Sequence, residues 1–205
     1  MILSCAALWE WRRLRGPVAT RGVSRRHDFA ASTATSLCAS WSRASSGSPF
    51  PNVIDAFSAE EVAALERQID GWLAELDSAY DHIIAVDRSS EGEIRWYVRM
   101  RGEDKDFTTV WLTLGQRTLK YETYVMGAPE ENEALLFEQL LRRNDNLVGA
   151  HFSVGFEDAV YLRGQVPASA VTLDELDRVL GTLYSTVEQS FRGLLRIGFA
   201  SRFTG

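Results

Sequence analysis

Two long segments of the chain have apolar residues at spacings of three and four, the pattern of an amphipathic helix. The first helix is predicted to begin at Ser58, because Ser58 and Glu61 match the capping-box pattern S-x-x-E. The other is predicted to begin at a second capping box, Thr172 with Glu175, and to run to about Ser201. A helix of that length would measure about 40 Å and would extend along a whole sheet.

A further helix is predicted to follow the sequence GAP, with Pro129 in its first turn, and to end at the sequence RRNDN, where Arg142 and Arg143 would suit the negative end of the helix dipole. Acidic residues near its start would suit the positive end of the helix dipole, namely Glu130, Glu131 and Glu133. Its centre, ALLFEQLL, is apolar on more than one side, so two packing partners are expected. One is expected to be the sheet and the other could be a second subunit, with a dimer surface at Leu136, Phe137 and Leu140.

Alternation of apolar and polar residues predicts strands between the first two helices. In EIRWYVRMRG, one face carries Ile94, Trp96, Val98 and Met100, and the other carries Arg95, Tyr97, Arg99 and Arg101. The segments FTTVWLTLG and TLKYETYVM follow across short turns, so three strands are expected to form an antiparallel meander. A shorter β-branched run, HIIAVD, could add an edge strand before them.

Two more strands are predicted after the second helix, in LVGAHFSVGF and VYLRGQV, joined by the turn EDA. On the first of these, one side is expected to be lined by Val148, Ala150, Phe152, Val154 and Phe156. The element order is then α-β-β-β-α-β-β-α, with HIIAVD as an additional strand. This order predicts an α+β fold in which helices pack against an antiparallel sheet of five or six strands.

Charge divides the chain into two parts. Residues 1–52 carry seven Arg against Glu10 and Asp28, a balance of +5, whereas residues 53–205 carry 15 basic and 26 acidic residues, a balance of −11. The first part is rich in Ser, Ala and Arg and has no useful periodicity, so it is predicted to be a disordered basic leader before a single folded domain at 53–205.

Three interpretations of this leader stay open. It could be translated upstream sequence that the native protein lacks, with Val23 or Val53 as the native start. Its Arg-rich, Ser-rich composition also suits an organellar transit peptide. It could instead be a basic arm for an acidic partner.

Composition excludes several classes of protein. Cys5 and Cys38 both lie in the leader, which removes a disulfide framework and a zinc site of the CxxC type. No apolar run approaches the ~18 residues that span a bilayer. A soluble, cytoplasmic protein is therefore expected.

Three stretches carry a resemblance to a known family: TLKYETYVMGAPEENEALLFEQLLRRN, LVGAHFSVGFEDAVYLRGQVP and TLDELDRVLGTLYSTVEQ. In these stretches and in element order, the chain resembles an actinobacterial member of the YbjN-domain family over about residues 58–200. The resemblance implies a fold similar to the small acidic chaperones of type III secretion, which bind an extended client segment and commonly dimerise. Members of the family have been named sensory-transduction regulators. The resemblance implies no catalytic residues, and the basic leader is not part of the family's pattern.

The usual catalytic and metal-binding patterns are absent from the sequence. His27, His82 and His151 are too scattered for helical i,i+4 metal ligation, and the P-loop, GxGxxG and GxSxG patterns do not occur. The run GEDKD lacks the glycine and glutamate offsets of an EF-hand and is expected to be a solvated hairpin tip. We therefore expect a protein that is not an enzyme and that uses no metal or cofactor.

The basic face of the predicted central strand is the most informative surface, and with its neighbours it forms a candidate partner-binding site of Arg95, Tyr97, Arg99, Trp111 and Tyr124. Aromatic rings among arginines can stack on bases, but the balance of −11 over 53–205 opposes nucleic acid as a partner. Cross-strand ion pairs with Glu122 and other acids are the structural alternative. Tyr, Trp and Arg are also the residues that anchor protein interfaces.

Together these patterns predict a non-enzymatic, chaperone-like or regulatory module that binds a segment of a partner protein and forms a homodimer. The alternative is a small-molecule sensor or an uncatalogued enzyme with a pocket between the sheet and the C-terminal helix. Nucleic-acid binding through the leader ranks third.

Overall fold

The computed structural model describes residues 56–90 and 92–203. This part of the chain contains three α-helices and a six-stranded antiparallel sheet. The element order is α-β-β-β-β-α-β-β-α, which confirms the predicted α+β fold. The HIIAVD run forms the additional strand, which is the first of the six along the chain. The predicted leader at 1–52 lies outside the described residues.

The helices are α1 at Ala59–Ala79, α2 at Glu133–Asn144 and α3 at Leu173–Gly198. The strands are β1 at Ile83–Arg88, β2 at Ile94–Arg101, β3 at Phe107–Leu114, β4 at Thr118–Met126, β5 at His151–Val154 and β6 at Val160–Pro167. Short 3-10 turns occupy Ala168–Ala170 and Ala200–Phe203.

The strands lie in the order β1-β2-β3-β4-β6-β5, and each neighbouring pair is antiparallel. After β4 the chain passes through α2, enters β5 at the outer edge of the sheet and returns as β6 beside β4. The two edge strands are therefore β1 and β5.

The helices cover one face of the sheet and form a single core with it. Alternate residues of the central strands point into this core, among them Trp96, Val98, Met100, Val110, Leu112 and Leu114. They pack with the apolar stripes of α1 and α3, which include Leu65, Ile69, Leu73, Leu176, Leu180 and Leu183. The residues between them along each strand lie on the opposite face, because successive side chains of a strand alternate.

The two predicted capping boxes have different outcomes. At α1, Ser58 Oγ accepts from the Glu61 N–H at 3.3 Å and the Glu61 carboxylate accepts from the Ser58 N–H at 2.7 Å, so this box is confirmed. At α3, Thr172 Oγ1 accepts from the Glu175 N–H at 3.2 Å. The Glu175 carboxylate binds Arg178 instead of the Thr172 backbone, which leaves the second box half formed.

Helix α2 begins at Glu133, so the prediction that Pro129 lies in its first turn was wrong. The residues after Pro129 are bound to the end of α3: the N–H groups of Glu130 and Glu131 donate to the Gly198 carbonyl at 2.8 and 3.0 Å. These two acids therefore precede the helix instead of forming its first turn.

The same contacts end α3 at Gly198, earlier than the predicted Ser201. The Asn132 side-chain amide donates to the Ile197 carbonyl at 3.1 Å, and the Ser201 N–H donates to the Glu131 carboxylate at 3.0 Å. Backbone groups that would continue the helix are satisfied by the segment before α2.

Strand β5 is shorter than the predicted LVGAHFSVGF segment. Ala150 and Phe152 are buried as expected, but Val148 is 79% exposed and Phe156 is fully exposed. Gly149 has a left-handed backbone conformation, with φ of 77°, which interrupts the extended backbone before β5.

Candidate functional site

The face of the sheet opposite the helices carries a row of residues, one from each strand. The strand registers align Asp87, Tyr97, Trp111, Glu122, Arg163 and His151 across the sheet. We call these six residues the open-face row. Its centre is aromatic, and its flanks are polar or charged.

The two aromatic residues at the centre of the row are in contact. The ring centroids of Tyr97 and Trp111 lie 6.4 Å apart, and the ring planes meet at 79°. This edge-to-face geometry is a favourable arrangement for two aromatic rings. Both side chains are half-buried, so the structure brings together two of the predicted partner-binding residues on the face of the sheet that the described helices leave uncovered.

The predicted arginines flank this pair on β2. Arg95 donates to the Thr113 hydroxyl at 3.0 Å and forms an ion pair with Glu93 at 2.5 Å. Arg99 lies opposite Ala85 of β1 and Thr109 of β3 in the register, and it is half-buried. The aromatic pair is thus bordered by cationic side chains along one strand.

Glu122, which was expected to pair with the β2 arginines, pairs with Arg163 of β6. Their Nε–Oε2 distance is 2.7 Å, and both side chains are about one-third exposed. Arg163 also lies 4.4 Å above the Tyr161 ring and donates to the Ser153 hydroxyl at 3.2 Å. Arg163 carries no signal in the sequence that marks it for this site, because only the pairing of β4 with β6 places it beside Glu122.

Tyr124 is set apart from the Tyr97–Trp111 pair. Its ring meets that of Tyr161 edge-on, with centroids 5.7 Å apart, and Lys105 Nζ lies 5.0 Å from the Tyr124 centroid. Burial, with a smaller contribution from Glu157, raises the pKa of the Tyr124 hydroxyl. The structure therefore places this predicted residue beside Lys105 and outside the open-face row.

Lys105 borders an open cleft of about 410 Å³ between the end of β4 and the C-terminal part of α3. We call it the Lys105 cleft, and its lining residues include Met126, Phe191, Leu195, Phe199, Arg202 and Phe203. Lys105 Nζ donates to the Tyr124 carbonyl and lies 5.7 Å from the Phe191 centroid. Burial lowers the pKa of the Lys105 ammonium group to about 8, against an opposing influence of the Glu188 carboxylate.

The GEDKD loop that carries Lys105 is bound to α3, which corrects the expectation of a solvated hairpin tip. The Glu188 carboxylate accepts from the N–H groups of Glu103 and Asp104 at 2.7 and 2.8 Å. Arg192 forms an ion pair with Asp104 at 3.0 Å. No local signal marked this loop, because its partner Glu188 lies 83 residues after Lys105.

Two of the three predicted dimer-surface residues of α2 are buried in the core. Leu136 is 0% and Leu140 is 4% exposed, whereas Phe137 is half-buried. Other apolar side chains on α2, on β5 and in the adjoining loops are exposed instead. We call these the β5-edge residues: Leu135, Leu141, Val148, Val154 and Phe156.

The histidines of the described part of the chain do not form a metal site. His151 is exposed at the end of the open-face row, and His82 packs between the rings of Tyr80 and Tyr184, with centroid distances of 5.5 and 5.1 Å. Within residues 56–90 and 92–203, no group of three or more His, Cys, Asp or Glu side chains could hold a metal ion. His27 lies outside these residues.

A family model named YbjN, with the description "Putative bacterial sensory transduction regulator", matches residues 67–196. The match covers more than half of the chain. The chain belongs to the YbjN family. The resemblance seen in the sequence is confirmed, and residues of the open-face row and most of the lining of the Lys105 cleft fall within the matched region.

Relatives of this YbjN family member occur in mycobacteria. "Uncharacterized protein Rv0487" of Mycobacterium tuberculosis is 38% identical over 104 residues, which are 51% of this chain and 57% of that protein. "Uncharacterized protein ML2442" of Mycobacterium leprae is 33% identical over 111 residues, 54% of this chain and 60% of that protein. The matches thus span less than two thirds of the length of these relatives.

Solved structures similar to the YbjN chain include three protein complexes. The ExsC–ExsE complex has a TM-score of 0.49 at 23% identity, covering 63% of this chain and 96% of the other. The ExoU–SpcU complex of the Pseudomonas aeruginosa type III secretion system has a TM-score of 0.40 at 15% identity, and the match covers 59% of this chain and 93% of the other. The Yersinia pestis type III secretion chaperone SycH, in complex with a fragment of YscM2, has a TM-score of 0.41 at 14% identity, and the match covers 60% of this chain and 96% of the other.

Among the described helices of this YbjN family member, none combines the length and the apolar character needed to cross a membrane.

Proposed function

We propose that this YbjN family member is a non-enzymatic, chaperone-like module of the cytoplasm that holds an extended segment of a partner protein on the open face of its sheet. The observation that carries this proposal is the Tyr97–Trp111 pair, which lies on the face that the helices leave uncovered. Tyrosine and tryptophan contribute much of the binding energy of protein interfaces, since each offers a large rigid surface with a polar handle.

The ion pairs around the aromatic pair favour an apolar partner segment. Arg95 is paired with Glu93, and Arg163 is paired with Glu122. A charged partner would have to compete with these carboxylates, whereas an apolar side chain can pack on the rings without breaking an ion pair. Selectivity therefore comes mainly from the shape and apolar character of the segment.

A photo-crosslinking experiment tests the partner site. We would place p-benzoylphenylalanine at Lys120, which is exposed on the open face opposite Thr113, and at Arg67, which is exposed on α1. In cells of the native host, crosslinks to a partner are expected from position 120 and not from position 67. Equal crosslinking from both positions would contradict an open-face site.

Binding of the identified partner then tests individual residues. Trp111→Ala and Arg99→Glu are expected to weaken the affinity at least tenfold, about 1.4 kcal/mol, in isothermal titration calorimetry. The matched control Arg67→Glu changes a charge on α1 and is expected to leave the affinity unchanged. Unaltered affinity in both open-face variants, with their fold intact, would refute this site.

We further propose that the module is a homodimer that associates through the β5-edge residues. Strand β5 is an edge strand, and exposed apolar side chains beside unpaired backbone groups favour association. The burial of Leu136 and Leu140 leaves Leu135 and Leu141 as the exposed leucines of α2. Self-association through this helix would therefore use the side that faces away from the core.

Analytical ultracentrifugation tests the dimer. Leu141→Glu combined with Val154→Glu is expected to shift a dimer to a monomer. The matched control Ile84→Glu changes a side chain on the opposite edge strand, β1, where Ile84 is 37% exposed. A monomeric wild-type protein, or dissociation by the Ile84 variant alone, would overturn this assignment.

A further inference from the structure

The Lys105 cleft has the dimensions and lining of a small-molecule site. Its volume of about 410 Å³ falls within the roughly 300–1,000 Å³ that is typical of ligand pockets. Such pockets are mostly apolar and contain a few polar groups that orient the ligand. Here α3 contributes the apolar wall of Phe191, Leu195 and Phe199, and Met126 and Phe203 extend it.

The backbone of Lys105 is fixed from α3. Glu188 accepts from the Lys105 N–H at 3.3 Å, in addition to its shorter bonds with the two preceding residues. The ammonium group reaches over the rings of Tyr124 and Phe191. These contacts therefore position the ammonium group at the border of the apolar cleft before a ligand binds.

Burial of Lys105 makes an anion a suitable ligand. The pKa of Lys105 is lowered to about 8, since the loss of solvation outweighs the attraction of the nearby Glu188 carboxylate. A negative group placed beside the ammonium group would stabilise its charged form, and this attraction is stronger at a partly buried group than between charges in bulk water.

The other charged groups around the cleft are already engaged. Arg202 is paired with Glu130 and lies 5.0 Å above the Phe199 ring. Glu188 is bound to backbone N–H groups of the GEDKD loop, and Asp104 is paired with Arg192. Among the described residues that line the cleft, Lys105 is thus the cation that no ion pair engages. Its Nζ donates to the neutral Tyr124 carbonyl, so one negative charge on a ligand would complement it.

We propose that the Lys105 cleft binds a small monocarboxylate with an apolar body, whose carboxylate pairs with Lys105 Nζ and whose body packs on Phe191, Leu195 and Phe199. This site is separate from the Tyr97–Trp111 pair of the proposed partner site. It assigns a ligand class to a pocket between the sheet and the C-terminal helix.

Calorimetry with matched amphiphiles tests the proposal on the full chain under reducing conditions. Decanoate, decanol and decyltrimethylammonium share an apolar chain and differ in charge. At pH 7 and below the micellar concentration, decanoate is expected to bind at least tenfold more tightly than the other two. Lys105→Met is expected to abolish this preference, whereas the matched control Lys120→Met retains it.

The small number of lysines allows a second readout. Lys105 and Lys120 are the lysines of the chain, so reductive methylation with ¹³C-formaldehyde gives two lysine signals in NMR spectra besides that of the N-terminus. The signal lost in Lys105→Met belongs to Lys105. Decanoate is expected to move this signal and to raise the pH at which it titrates.

Several outcomes would overturn the proposal: equal binding of decanoate and decanol, a preference that survives Lys105→Met, or no binding of decanoate. If Lys105→Met does not fold, Leu195→Trp is expected to lose decanoate binding by filling the cleft, while Lys105→Arg retains it. Retention in Leu195→Trp would also refute the site. Trp111→Ala is expected to leave decanoate binding unchanged, which separates this test from that of the partner site.

Discussion

Gly102 lies so close to the carboxylate of Glu188 that a Cβ atom at position 102 would overlap Glu188 Oε1 and the Lys105 carbonyl oxygen. The absence of a side chain at Gly102 allows the GEDKD loop to approach α3, and the Glu188 carboxylate then accepts the loop's N–H groups. This contact positions Lys105 at its cleft.

We predict that Gly102→Ala destabilises the protein, because the added methyl group must displace backbone or the Glu188 carboxylate. The expected loss is about 1–3 kcal/mol in the free energy of unfolding, measured with urea and far-UV circular dichroism. Gly71→Ala is the matched control. A Cβ at Gly71 meets nothing within 4 Å, so this change within α1 is expected to stabilise by up to about 1 kcal/mol. Equal stability of the two variants would contradict the prediction.

Asp70 links α1 to the first two strands. Its carboxylate accepts from Trp96 Nε1 at 2.6 Å and from Arg88 at 2.8 Å, and the Trp96 side chain is 1% exposed. Asp70→Ala leaves a buried indole N–H without its acceptor, so we expect a loss of about 1–3 kcal/mol in the free energy of unfolding.

The control for Asp70→Ala is Asp77→Ala at an exposed position of the same helix. Both variants make the same Asp-to-Ala change in helix propensity. Asp77→Ala also removes a carboxylate from the last turn of α1, at the negative end of the helix dipole, so it is expected to be neutral or slightly stabilising, and a loss of stability in Asp70→Ala reports the lost hydrogen bonds. Asp70→Asn keeps an acceptor oxygen, so its free energy of unfolding is expected to fall by less than that of Asp70→Ala. A loss in Asp77→Ala as large as that in Asp70→Ala would count against this role.

Two buried hydroxyl groups, of Thr108 and Thr123, have no hydrogen-bond partner among the residues that the structure describes. Both side chains are 0% exposed. Thr123→Val removes an unsatisfied polar group, so we expect the free energy of unfolding to rise by about 1 kcal/mol. Thr109→Val on the half-buried open face is expected to change it by less than about 0.5 kcal/mol. Destabilisation by Thr123→Val would indicate that the hydroxyl has a partner.

Lys105 should make stability depend on pH. Its pKa is lowered to about 8 in the folded chain, whereas an unfolded lysine has a pKa of about 10.4. Below pH 8 both states hold the proton, and the folded state bears the full cost of the buried charge. Above pH 8 the folded state releases the proton while the unfolded state retains it, so the free energy of unfolding rises with pH through this window.

Urea unfolding at pH 7 and pH 9 measures this effect. The groups facing Lys105 include Glu188, Arg202 and Tyr124, and the raised pKa of Tyr124 keeps its hydroxyl protonated over this range. The wild-type protein is expected to gain about 1 kcal/mol relative to Lys105→Met between the two pH values. A constant difference between the two proteins would show that the Lys105 ammonium group is well solvated.

Local periodicity of apolar and polar residues was sufficient to predict most of the helices and strands. The alternation in β2 and the apolar stripes of α1 and α3 follow from the two-residue and 3.6-residue repeats of the backbone itself. The box at Ser58 was equally visible, because both of its partners lie within one turn of helix. The presence of Tyr97 and Trp111 on one face also followed from this alternation, once their strands were neighbours.

Contacts between distant segments decided the rest. The amino-acid sequence alone determined the elements, the acidic charge of 53–205 and the aromatic character of one strand face. The tertiary structure decided that Glu122 pairs with Arg163 and that the Gly198 carbonyl binds the residues just before α2. It also decided that Glu188 holds the backbone of Lys105 at the border of an apolar cleft. These contacts depend on which segments pack together. The repeat pattern of a single segment shows which of its faces is buried, but it does not specify which distant segment packs against that face.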